Sequence, residues 1–135
     1  RGCSLSYMIH YMGRFAPKRA AEQWKLYKKH MTKRVFGKIG FREFLPDYEG
    51  AWSPDSGPII AGVGVAATGL GLNAASTVGD KKTFKSLEKT MNPLYSVFKT
   101  TESLPIINFL TRIGTDLLSS SIWLNAETKQ VWYKD

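Results

Sequence analysis

One cysteine and two histidines are all that this chain of 135 residues offers to soft or borderline metals. Cys3 alone excludes an intrachain disulfide and a cysteine-built metal cluster, and the separated His10 and His30 argue against a histidine metal site, so no cofactor is expected. A lone cysteine fits a reducing cytosol and a periplasm alike. Acids are scarce, 11 against 19 Lys and Arg, and no nucleotide, zinc or protease motif stands out. At 43% hydrophobic and 13% aromatic residues, the composition excludes a disordered or acidic-tail protein and supplies one core. The chain opens on Arg1 rather than Met, without a charged-then-apolar leader. It is therefore expected to be a single helical domain over 1–135, one piece of a longer chain.

The excess positive charge is local. Between Arg14 and Arg42 stand ten basic residues and one acid, Glu22, while the rest of the chain is close to neutral. Such a stretch suits phosphates on an anionic membrane surface or on nucleic acid, and the absence of a nucleic-acid module disfavours the latter. Interleaved with the charges are Ala20, Trp24, Tyr27 and Met31 at spacings of 4, 3 and 4, the pattern of an amphipathic helix with one buried stripe and a solvated lysine-rich face.

Helical periodicity dominates. Leu5, Met8, Ile9 and Met12 predict a first helix over 2–15, and Pro17 opens a second that runs to about Phe36, with Gly37 as its stop. Residues 37–55 alternate Gly, Pro, Asp and aromatics too irregularly for either period, as a functional loop does. Ser56 to Gly79 is a run of 24 residues without a charge, long enough to span a bilayer. Its many Gly, Thr, Ser and Asn residues favour a buried core helix over a span, capped by Asp55 or Ser56, with Pro58 in the first turn and a stop and restart at Gly79-Asp80. A fourth helix is predicted over 81–90, ending at Asn92-Pro93, and a fifth over 105–125, with 127–133 as a short strand or strip. The fold class expected from this is all-α: about five helices in antiparallel hairpins.

Four of the eleven acids, Glu43, Asp47, Glu49 and Asp55, cluster between positions 43 and 55 beside Tyr48 and Trp52. A carboxylate against aromatic rings is raised in proton affinity by lost solvation and becomes a general acid, while a second stays ionised as base or nucleophile. Asp55 and Glu49 are the candidate catalytic pair. Asp55 would also guard the mouth of the apolar helix, where free N–H groups bind polar ligand atoms; its plain alternative is an N-cap. Trp52, Asp47, Tyr48 and Ser56 are candidate ligand-wall residues, and His10, beside Tyr7 and Tyr11, is a candidate ligand contact as well as a packed core histidine. Cys3 reads as a small buried hydrophobe rather than a nucleophile.

The segment PDSGPIIAGVGVAATGLGLNAASTVGDKKTFKSL, Pro54 to Leu87, resembles the inner-helix, turn, outer-helix unit of the (α/α) toroids, as in linalool dehydratase/isomerase-like proteins and six-hairpin glycosidases; RGCSLSYMIHYMGRFAPKRAAEQWKLYKKH, Arg1 to His30, looks like a preceding unit. The resemblance implies a ligand cavity at the toroid mouth, lined here by Asp47, Glu49, Trp52, Asp55 and Ser56. A full toroid has more helices than this chain supplies, so the expected fold is a partial toroid.

Two functions follow as expectations. The first is a toroid-type domain that binds or transforms a small polyol, sugar or terpenoid by carboxylate acid/base chemistry. The second is a noncatalytic structural or interaction domain of a membrane-associated protein, its basic hairpin touching anionic lipid. The sequence leaves open whether the chain is an enzyme. The partners to expect are a small-molecule ligand, an anionic membrane surface and the rest of a longer chain, in a membrane-associated or periplasmic setting.

Overall fold

Large apolar residues on one stripe and lysines on the others make Pro17–Met31 the helix α2, preceded by Gly2–Met12 as α1. Pro17 opens α2 where its missing N–H is not needed, and Lys28, Lys29 and His30 close it where cations suit the helix dipole. The residues α2 buries are Ala20, Trp24, Tyr27 and Met31, the stripe legible in the sequence. The computed structural model describes residues 1–48, 59–100 and 124.

After α2 the all-α expectation fails. Thr32–Val35 (β1) and Lys38–Phe41 (β2) form an antiparallel hairpin in place of a last helical turn and an irregular loop. β-Branched Thr32 and Val35 favour extended backbone, and Phe36 and Gly37 fill a two-residue turn in which both have positive φ, +48° and +77°. A single 3-10 turn, Pro46–Tyr48, follows.

The uncharged run is not one helix either. Ile59–Ile60 (β3) and Val63–Gly64 (β4) pair around a second such turn, Ala61-Gly62, also at positive φ. Only then does α3 begin, Val65–Thr77, with Gly64 at its N-cap and no side-chain cap. An N-cap by Asp55 or Ser56 is thereby replaced, since the helix starts well downstream of both. Thr68 supplies the local anchor instead: its hydroxyl donates to the Gly64 carbonyl (2.7 Å) and accepts from the Phe41 amide (3.0 Å). The described molecule is thus mixed α and β, with two small hairpins among helices, not a five-helix partial toroid.

α3 is the centre of the packing, lying against α1 on one side and α4, Lys81–Thr100, on the other. Residues 67–69 and 71–75 are all buried. A β-carbon at Gly71 would stand 2.5 Å from the Phe41 ring, so glycine is what lets the sheet and helix meet. Because α3 is built of small residues, α1 approaches it with its own small and polar face, Gly2, Cys3, Ser6, Ile9 and His10. The larger Leu5 and Met8, two of the apolar residues whose spacing predicts this helix, stay exposed. Trp24, Tyr27 and Phe41 close the core as a ring cluster with centroids 4.7–5.5 Å apart.

Asp80 restarts the chain as Gly79-Asp80 predicts. It caps α4 through the Thr83 amide (3.1 Å) and hydroxyl (2.8 Å), and accepts from Trp24 Nε1 (2.9 Å) and Lys28 Nζ (2.6 Å), tying α4 to α2. α4 continues past Pro93, whose missing N–H costs one backbone bond, where the sequence predicts a break. The predicted helix over 105–125 and the strip at 127–133 lie outside the described residues, apart from Leu124.

Candidate functional site

The proposed catalytic pair, Glu49 and Asp55, lies outside the described residues, as do Trp52 and Ser56. Asp47 and Tyr48 are described; both are exposed on the turn Pro46–Tyr48, and Tyr48 stands on the wall of an open groove between α1 and α2.

His10 is placed elsewhere, inside the α1–α3 contact. Its Nδ1 is 2.6 Å from the Thr77 hydroxyl and its Nε2 is 3.0 Å from Arg14 Nη2. A guanidinium only donates, so Nε2 accepts, Nδ1 carries the proton, and Thr77 passes its own proton to the Asn73 carbonyl (2.9 Å). Burial, reinforced by the Arg14 charge, pushes the imidazole below its ordinary value and keeps it neutral. This histidine joins two helices.

The acid that the fold brings to a chemically distinctive place is Glu43. Just beyond β2 and 1% exposed, it caps α1 from forty residues away. Its backbone carbonyl accepts from the Gly2 amide (2.8 Å), Oε2 from the Cys3 amide (3.2 Å), and Oε1 from both Arg1 Nε (3.1 Å) and the Cys3 thiol (2.9 Å). Two of the otherwise orphaned donors of the first turn, the Gly2 and Cys3 amides, are satisfied by a tertiary partner. Burial, with the hydrogen bond to Glu43 adding to it, pushes the Cys3 thiol up, which opposes thiolate chemistry. Sequence reasoning groups Glu43 with the loop acids; what sets it apart is its place two residues after β2, a strand that the helical periodicity of the sequence does not reveal.

Basic and apolar residues converge at the two hairpins. Phe36 at the tip of the first is 98% exposed, and Arg34 and Lys38 flank it in solvent. Lys33 extends over Gly62 of the second hairpin, and Val63 packs beside Gly40, so the hairpins stand side by side. The second adds exposed Ile59, Ile60 and Ala61. A bulky residue at positive φ is costly, of order 1–2 kcal/mol, and packing does not repay it at an exposed tip.

Among the described residues no helix is long and apolar enough to cross a membrane. No family model matches the chain, and no match was found among curated proteins or solved structures.

Proposed function

We propose that this domain is a noncatalytic membrane-surface interaction domain that docks through its paired hairpins on anionic bilayers. The observation that supports this is Phe36, fully exposed in a strained turn between Arg34 and Lys38, where Asn or Gly would serve the turn better. A phenyl ring at such a tip enters the lipid interface while its cationic neighbours meet the headgroups.

The magnitudes are sufficient for reversible binding. Lys33, Arg34 and Lys38 contribute about 1 kcal/mol each near an anionic surface, and burying Phe36 about 2–3 kcal/mol. Together this is roughly 5–6 kcal/mol, an apparent Kd of about 0.1 mM. The exposed Lys18, Arg19, Lys25 and Lys29 of α2 add a longer-range field.

The test is co-sedimentation with phosphatidylserine/phosphatidylcholine vesicles against pure phosphatidylcholine vesicles, each at rising salt. The expected result is binding to the anionic vesicles alone, weakening as salt screens the lysines. Equal binding to both vesicle types, or to neither, contradicts the proposal.

A further inference from the structure

The hairpin of β1 and β2 has two long edges, and the fold finishes only one of them. In an antiparallel pair, opposed residues alternate between those that exchange backbone bonds and those that turn their N–H and C=O groups outward. Val35 and Lys38 close the two-residue turn, Lys33 pairs with Gly40, and the Arg42 amide donates to the Met31 carbonyl (2.7 Å), which fixes the bonded series. The residues between them, Thr32 and Arg34 on β1 and Ile39 and Phe41 on β2, therefore point their backbone groups away from the hairpin.

On the β2 side these groups are taken up inside the molecule. The Ile39 carbonyl accepts from the Thr90 hydroxyl (2.6 Å), and the Phe41 amide donates to the Thr68 hydroxyl (3.0 Å). On the β1 side the Thr32 amide is used by α2, donating to the Lys28 carbonyl. The Arg34 N–H and C=O and the Thr32 C=O have no partner among the described residues. Arg34, which owns two of these three groups, is exposed.

Charge selects what can pair there. The hairpin from Thr32 to Phe41 carries Lys33, Arg34 and Lys38 and no acid, and none of the three is ion-paired among the described residues. A second copy added edge to edge would bring the same cations against them, and like charges across a strand pair are destabilising. Cations on an edge strand guard against self-association in this way. They do not repel an acidic strand, whose carboxylates would meet the free guanidinium of Arg34 in a charge-assisted pair.

We infer that β1 accepts a third strand from another protein, an extended acidic segment paired backbone to backbone with Thr32 and Arg34. Recognition of this kind takes affinity from main-chain bonds and specificity from side chains. It shares cations with bilayer docking but does not rest on it, because the edge of β1 is used and the Phe36 ring is not.

The test uses the full chain and a soluble peptide of alternating Glu and Val, with amide hydrogen exchange read at single residues. In the free chain the Arg34 amide should exchange fast, while the Lys33 and Val35 amides, bonded to β2, exchange slowly. Saturating peptide should slow the Arg34 amide by about tenfold or more, with an affinity that falls as salt rises. A peptide of alternating Lys and Val should not bind. Nor should the Glu-Val peptide N-methylated throughout, which keeps its charge and loses its N–H donors. Arg34→Glu should reduce affinity by about tenfold or more, whereas Phe36→Asn should leave it unchanged. An Arg34 amide that gains no protection, or equal binding by the Lys-Val or the N-methylated peptide, overturns the inference. So does an Arg34 amide already slow in the free chain, because the edge would then be occupied by this chain's own residues or by a second copy.

Discussion

At the scale of the residue, His10 shows how a candidate ligand contact becomes a structural hinge pin. Both ring nitrogens are engaged, by Thr77 and Arg14, in a network that admits only the neutral form. The unfolded chain takes up a proton near its ordinary value of 6.5, the folded one only at lower pH. Protonation therefore favours unfolding: the stabilisation is complete above pH 6.5 and is lost as pH falls below it. Urea titrations between pH 7.5 and 5 should show that loss, and His10→Asn, which keeps a donor toward Thr77 without a titrating ring, should flatten it; an unchanged slope in the variant would assign the effect elsewhere. Asp80 acts in a lower window. Burial alone would raise its carboxyl, but hydrogen bonds from Lys28, Trp24 and Thr83 outweigh that and hold it well below the usual carboxylate range, so its contribution persists above about pH 4 and fades below.

At the scale of the element, the same physics explains what was legible in the sequence and what was not. The buried stripe of α2 and the Gly79-Asp80 restart could be read directly, because 3.6-residue periodicity and capping chemistry are local. The hairpins could not. Val35 lies four residues after Met31 and extends the helical pattern, and the turn Phe36-Gly37 carries a residue that turn chemistry does not favour. The uncharged run misled for a different reason: composition identifies burial but not conformation, and Ile59 to Gly64 pair as strands before the helix begins. Gly71 separates local preference from tertiary contact. Helix propensity alone predicts that Gly71→Ala stabilises α3 by about 1 kcal/mol, whereas the clash with the Phe41 ring predicts a loss of about 1–3 kcal/mol. Denaturant unfolding decides between them, and the packing requires destabilisation.

At the scale of the whole molecule, exposed Lys and Arg lie along α2 and on the first hairpin, where Phe36 stands between Arg34 and Lys38, and the adjoining second hairpin adds exposed Ile59 and Ile60. The composition announced the charge; only the fold, by placing β1 and β2 after α2, brings an aromatic tip into its midst. The acid pair expected at Glu49 and Asp55 falls outside the described residues, and the helix end that gave Asp55 its meaning begins instead at Val65. The central claim is that Phe36 is retained for membrane contact at the expense of its own turn. Its most direct test is Phe36→Asn, measured twice: unfolding free energy in denaturant and binding to phosphatidylserine-containing vesicles. Asn relieves the positive-φ strain, so stability should rise by about 1 kcal/mol, while vesicle affinity should fall at least tenfold. Raised stability with undiminished vesicle binding would contradict the account.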